Sequence, residues 1–133
     1  MKLEEKIGKT LEKHREIVAA YLYGSLVRGH LRRDSDIDLA ILLDDGFEPD
    51  ALYPLRIAEE VASNCALERE IDVRVLNDMP LTFVHQVLKN GVLIHSRDDR
   101  KRVEFETCAY DIYLDYKPYF DRFNEIRRMR LLS

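Results

Sequence analysis

The sequence predicts an α/β (α+β) fold, a small β-sheet flanked by helices, with a helical extension from about residue 97. Two observations lead to this class. Short stretches that are apolar throughout, or that alternate apolar with polar residues, recur between turn residues and are typical of strands. The segments between them carry apolar residues at helical spacing. A chain of 133 residues can bury one core, so we expect a single domain over residues 1–133.

The first half of the chain predicts one helix and two strands. Residues 3–15 mix charges with Leu and Ile at helical spacing, which indicates an amphipathic helix rather than an apolar leader. Residues 17–23 are apolar on both faces of a strand, which predicts a central place in a covered sheet. Residues 36–43 alternate in the manner of a strand with one buried face. Between the two strands we expect a short helix or turn over 25–31 and a loop over 32–35.

The second half predicts two further strands among three helices, and each boundary carries its own turn or cap residue. Proline lacks the backbone donor that a helix interior needs, so we expect the last helix to be interrupted at Pro118. The predicted elements are a helix from Pro49 to Cys65, a strand over 70–75, a helix from Pro80 to Asn90 that ends at a Gly91 cap, a strand over 92–95, and a helix from about Asp98 onward.

The stretch from residue 23 to residue 43 holds the pattern with the clearest chemistry. Gly24-Ser25 follows a strand, and after ten further residues Asp36-Ile37-Asp38 opens the next one. The two aspartates lie on one strand face about 7 Å apart, where their repulsion calls for a cation, and oxygen-only ligands suit Mg²⁺. Gly24 lets the backbone approach a ligand, and Ser25 offers a hydroxyl and an N–H to an anion. Together they predict a metal and nucleotide-phosphate site.

The strand over 70–75 carries a second set of polar side chains. Its alternation places three aliphatic residues on one face and three charged residues on the other. From the pattern alone this is an edge strand with a solvated face. The charged residues are Glu70, Asp72 and Arg74.

The segment GSLVRGHLRRDSDIDLAILL resembles the signature of the DNA polymerase β-like nucleotidyltransferase superfamily, and the short chain resembles its minimal (MNT) branch. The resemblance implies the nucleotidyltransferase fold, with a small mixed sheet. It also implies that Asp36 and Asp38 bind one or two Mg²⁺ ions and are catalytic. A third catalytic and metal-binding carboxylate is expected on a neighbouring strand; Asp72 is preferred because β-branched residues flank it, and Glu70 is the alternative.

The same resemblance implies how the nucleotide is bound. Gly24 and Ser25 are expected to hold the phosphates of ATP. Arg28, which is followed by glycine as it often is in the family, is expected to assist them, with Arg32 and Arg33 as further basic residues of the loop.

Minimal members of the superfamily commonly work beside a small all-helical HEPN protein, as HEPN/MNT toxin–antitoxin pairs. The resemblance therefore implies an antitoxin that moves AMP from ATP to a tyrosine of a HEPN ribonuclease toxin, in a hetero-oligomer. Two alternatives remain. The chain could adenylylate a small hydroxyl compound on its own, or it could be a non-catalytic antitoxin that acts by binding alone.

Composition argues against two further classes of protein, those that bind nucleic acid directly and those that span a membrane. A net charge of −4 gives no electrostatic case for direct nucleic-acid binding, and the apolar runs fall short of the roughly 20 residues of a membrane span. Cys65 and Cys108 are isolated, so we expect buried thiols in a reducing cytoplasm.

The last third of the chain is rich in aromatic residues interspersed with arginines. We expect part of this set to pack on the sheet and the rest to suit a partner surface. The aromatics are Phe105, Tyr110, Tyr113, Tyr116, Tyr119, Phe120 and Phe123, and the arginines are Arg122, Arg127, Arg128 and Arg130.

Overall fold

The computed structural model describes residues 2–24, 37–66 and 70–132, and these form one four-stranded mixed sheet in the order β3-β2-β1-β4. The strands are β1 (Ile17–Tyr23), β2 (Ile37–Leu43), β3 (Ile71–Val75) and β4 (Val92–Ser96). β1 pairs antiparallel with β2 and β4, whereas β2 and β3 are parallel. The fold is therefore α+β with a mixed sheet, as predicted.

Helices cover both faces of the sheet. They are α1 (Leu3–Leu11), α2 (Tyr53–Asn64), α3 (Leu81–Asn90) and α4 (Asp99–Leu132), with a short 3₁₀ turn over Leu76–Asp78. α2 makes the crossover that parallel β2 and β3 require. Apolar side chains of α1 and α2 pack on one face, the α1/α2 face, and those of α3 and α4 on the other, the α3/α4 face.

The two faces follow from the alternation of the strands. In β2, Ile37, Leu39 and Ile41 are fully buried on the α1/α2 face. Ala40 and Leu42 are buried on the α3/α4 face. β1 is apolar on both sides and lies between β2 and β4, so the prediction of a central covered strand is confirmed. Because Ile37, Leu39 and Ile41 point to the α1/α2 face, the residues that alternate with them lie on the α3/α4 face.

The expected interruption at Pro118 is wrong, because α4 continues through it to Leu132. Proline removes one helical hydrogen bond, and the carbonyl it would have bonded belongs to Leu114. Leu114 is 62% exposed, so water can reach that carbonyl and the helix tolerates the loss.

Gly91 follows α3, as predicted, but not through the left-handed conformation of a glycine cap. Its φ is −79°, which any residue can adopt. Glycine is required for space instead: an added Cβ would lie 2.5 Å from the Val87 carbonyl oxygen and 3.1 Å from that of Leu22. The end of α3 thus packs directly against the backbone of β1.

The two cysteines differ in environment. Cys65 is buried, as expected, whereas Cys108 lies on the exposed side of α4, so its predicted burial is wrong. The side of the helix decides this, since the adjacent Ala109 packs on the sheet whereas Cys108 lies on a side that is left exposed. Over the residues that the structure describes, no helix is both long and apolar enough to cross a membrane.

Candidate active site

Two aspartates of the predicted site lie side by side on neighbouring strands. In the parallel pairing of β2 and β3, Asp38 is the direct partner of Asp72. Paired strands run about 4.8 Å apart, and residues opposite one another place their side chains on the same face. Since Leu39 and Val73 are buried on the α1/α2 face, both aspartates belong to the α3/α4 face. The register therefore places two carboxylates together.

Gly24 lies directly against the carboxylate of Asp38. Its φ is +84°, a conformation that side chains disfavour, and an added Cβ would lie 2.2 Å from Asp38 Oδ2. The approach follows from the pairing of β1 with β2, in which Tyr23 is opposite Asp38 and Gly24 comes next. Glycine at this position thus serves two needs, the turn out of β1 and the room for a carboxylate.

Arg74 binds the second carboxylate. It lies two residues after Asp72 on β3, and its Nε donates to Asp72 Oδ2 at 3.1 Å. The guanidinium carbon lies 5.6 Å from the ring centre of Phe83 on α3. Phe83 in turn meets the ring of Tyr23 edge-to-face, at 5.4 Å and 89°. Four side chains from β1, β3 and α3 are therefore linked beside Asp38.

The charges of this cluster alter two pKa values. Burial, and then the charge of Asp38, raise the pKa of Tyr23 to about 12, so its hydroxyl is neutral near pH 7. The hydrogen bond from Arg74 to Asp72 raises the pKa of the guanidinium, with further contributions from Asp72, Tyr23 and Asp38. Arg74 is thus a cation stabilised by the negative charge of the two aspartates.

A small recess adjoins Gly24 on the side of α3. It has a volume of about 90 Å³, and within it the carboxamides of Gln86 and Asn90 are joined by a 3.0 Å hydrogen bond. The recess is lined by Tyr23, Gly24, Phe83, Gln86, Val87 and Asn90. It offers amide donors and acceptors beside the predicted phosphate-binding glycine.

The structure brings together Gly24, Asp38 and Asp72 of the predicted site. Ser25, Arg28 and Asp36 lie outside the described residues. Glu70, the alternative third carboxylate, is exposed and precedes β3, where its carbonyl oxygen accepts from the Ile37 N–H at 2.9 Å. Its position differs from that of Asp72, which is paired directly with Asp38.

The arrangement fits a hard divalent cation as far as it is described. Asp38 and Asp72 offer carboxylate oxygens on one face, the donors that Mg²⁺ prefers. Within residues 2–24, 37–66 and 70–132, no group of three or more His, Cys, Asp or Glu side chains could hold a metal ion. The third predicted ligand, Asp36, is outside these ranges.

The sequence predicts no functional role for three residues of this cluster, Tyr23, Arg74 and Phe83. The alternation of β3 placed Arg74 on the face of Asp72, so its proximity could have been predicted. Tyr23 directly precedes Gly24, which is a weaker signal. For Phe83 the sequence gives no such signal, because its contact with Arg74 depends on how α3 packs on the sheet.

Comparison with known proteins identifies the family of the chain and its relatives. The family model described as polymerase beta, nucleotidyltransferase matches residues 5–100. Protein adenylyltransferase MntA of Shewanella oneidensis is 34% identical over 89 residues, 66% of this chain and 61% of that protein. The match thus spans less than two thirds of the relative.

Solved structures of similar fold include complexes. One is a toxin-antitoxin with AMP-PNP, at 25% identity and a TM-score of 0.66, covering 90% of this chain and 97% of that chain. Another is a tri-AMPylated Shewanella oneidensis HEPN toxin in complex with MNT antitoxin, at 22% identity and a TM-score of 0.61, covering 91% and 95%. From the family match over most of its length, the chain belongs to the polymerase beta nucleotidyltransferase family.

Proposed function

We propose that this chain is a Mg²⁺-dependent nucleotidyltransferase that transfers AMP from ATP to a tyrosine of a partner HEPN ribonuclease toxin, and so acts as its antitoxin. The observation that carries the proposal is the register of β2 and β3, which pairs Asp38 with Asp72. Clustered carboxylates beside a glycine turn suit the binding of a metal–triphosphate.

Asp36, Asp38 and Asp72 would hold one or two Mg²⁺ ions. Bound there, the metal offsets the charge of the triphosphate and orients it for in-line displacement. Gly24 and Ser25 bind the phosphates through backbone and hydroxyl groups, and Gly24 has no side chain to obstruct them.

In the proposed reaction the tyrosine oxygen of the partner attacks the α-phosphorus of ATP. A new P–O bond joins AMP to the tyrosine, the bond to the bridging oxygen breaks, and pyrophosphate leaves. Asp72, whose side chain is 46% exposed, receives the hydroxyl proton. Arg28 steadies the charge that develops on the phosphates.

Two findings support the choice of a protein acceptor. The MntA relative is named a protein adenylyltransferase, and the similar chain in a solved complex is an MNT antitoxin beside a HEPN toxin carrying AMP. In this chain, Tyr116, Tyr119 and Phe123 of α4 are exposed, a property suited to the predicted partner surface. Hence we propose a hetero-oligomer in solution.

Intact mass spectrometry of the partner tests the proposal. A helical HEPN-type protein, supplied as the candidate partner, is incubated with the chain, ATP and Mg²⁺, and a gain of about 329 Da per AMP is expected. Asp38→Asn, which keeps the size of the side chain and removes its charge, should abolish the gain. Asp45→Asn is the matched control, since Asp45 is exposed just beyond the end of β2 and outside the site.

The other outcomes separate the alternatives. A stable complex with no mass gain would favour an antitoxin that acts by binding alone. Neither complex nor mass gain would favour a stand-alone enzyme for a small hydroxyl compound, to be sought with ATP and labelled acceptors. A gain that persists in Asp38→Asn would contradict the site assignment.

A further inference from the structure

Arg74 is a cation that contacts one carboxylate of the candidate site, that of Asp72. We propose that Arg74 is a positioning residue, an internal counter-cation that holds Asp72 in the metal-free protein and releases it when the divalent ion binds. Such a role rests on the proposed function, because it requires Asp72 to be a metal ligand.

The need for a counter-cation follows from the register. Asp38 and Asp72 are direct partners on adjacent strands, so their like charges repel in the absence of a metal. Arg74 lies on the same face, and its Nε donates to Asp72 Oδ2 at 3.1 Å.

The ion pair is of a kind that a divalent ion can displace. The side chains of Arg74 and Asp72 are 47% and 46% exposed, and a single hydrogen bond joins them. Exposed pairs of this type contribute little to stability. A doubly charged ion that reaches two or more carboxylates gains more from Asp72 than the single bond to Arg74 offers.

Phe83 gives the released guanidinium a second contact. Its ring centre lies 5.6 Å from the guanidinium carbon, a separation at which a cation is attracted to the aromatic face. The Phe83 ring is itself held edge-on by Tyr23. Arg74 can therefore give up Asp72 by a rotation of its side chain and remain at the site.

The affinity for Mn²⁺ in the absence of nucleotide tests this role. Mn²⁺ serves as the probe because free and bound ion are distinguished by electron paramagnetic resonance. Removing a competing positive charge from a divalent site should tighten binding roughly three- to tenfold, so Arg74→Gln is expected to have the lower dissociation constant. Arg74→Lys keeps the charge and should remain close to wild type.

Melting temperature supplies an independent readout. In EDTA, Arg74→Gln should melt close to wild type because the exposed pair contributes little to stability, and saturating Mn²⁺ should raise its melting temperature by more than it raises that of wild type. The matched control is Arg100→Gln, which breaks another exposed arginine–carboxylate pair, to Glu104 at 3.3 Å on α4. Its response to Mn²⁺ should equal that of wild type.

Unchanged or weaker Mn²⁺ binding by Arg74→Gln would overturn the proposal, because a competing cation must hinder the metal. If wild type binds Mn²⁺ and modifies its partner while Arg74→Gln behaves identically, only this role of Arg74 fails. If wild type binds no Mn²⁺, the metal site fails and the proposed function fails with it.

Discussion

Replacing Gly24 with alanine should damage the site more than the fold. The added Cβ would lie 2.2 Å from Asp38 Oδ2, so the carboxylate must move. Displacing a reacting group by about 1 Å can cost about 100-fold in rate. We therefore expect AMP transfer to fall by about two orders of magnitude, measured as the initial rate of mass gain on the partner.

The accompanying loss of stability can be worked out from the same contact. At φ +84° the left-handed conformation costs an alanine about 1–2 kcal/mol of folding free energy. Moving Asp38 off its rotamer costs about 0.5–1.5 kcal/mol. Alanine also lowers the conformational entropy of the unfolded chain, which stabilises the folded state by about 0.4–1 kcal/mol. A net loss of about 0.5–3 kcal/mol lowers the melting temperature by about 2–11 °C in a chain of this length.

Two other glycines provide controls. At Gly46 an added Cβ would meet its nearest atom at 3.8 Å, so Gly46→Ala should leave the rate unchanged and raise stability by about 0.4–1 kcal/mol. At Gly91 it would lie 2.5 Å from the Val87 carbonyl oxygen, so Gly91→Ala should lose stability yet retain transfer well below its melting temperature. A wild-type rate in Gly24→Ala would refute the claim that this contact sets the position of Asp38.

Two further predictions concern the fold around the site. The Asn77 carboxamide makes two 2.9 Å hydrogen bonds with the backbone of Leu43 and so extends the end of β2; Asn77→Ala should cost about 1–2 kcal/mol, seen as a melting temperature lower by about 4–7 °C. An unchanged melting temperature would contradict the pairing. An uncharged thiol reagent should label exposed Cys108 at once and buried Cys65 only on unfolding, and equal labelling rates in the folded protein would be inconsistent with the structure.

Local pattern was sufficient to predict the strands and the faces of the candidate site. The alternation of Ile37, Leu39 and Ile41 with polar or small residues is enough to assign Asp38 to one face of the sheet, because a strand reverses its side chains at each residue. The same rule assigns Asp72. These predictions held because a buried aliphatic face leaves a strand little freedom of orientation.

Contacts between distant elements could not be predicted in the same way. Phe83 meets Arg74 only because α3 packs over that end of the sheet. Exposure of Cys108 depends on which side of α4 faces the sheet, and continuity of the helix at Pro118 depends on that part of α4 being exposed nearly all round. Sequence alone gives the composition of α4 but not its rotation about its axis.

The position of the two carboxylates depends ultimately on the hydrophobic core beneath them. Asp38 and Asp72 come from strands joined through α2, and their proximity requires the register that pairs Ile37 with Ile71. A slip of one residue would turn an aspartate toward the α1/α2 face, where Ile37 is fully buried. Such a slip exposes aliphatic surface and buries a charge, both unfavourable. The alternation of apolar residues that stabilises the sheet therefore also places the two aspartates side by side.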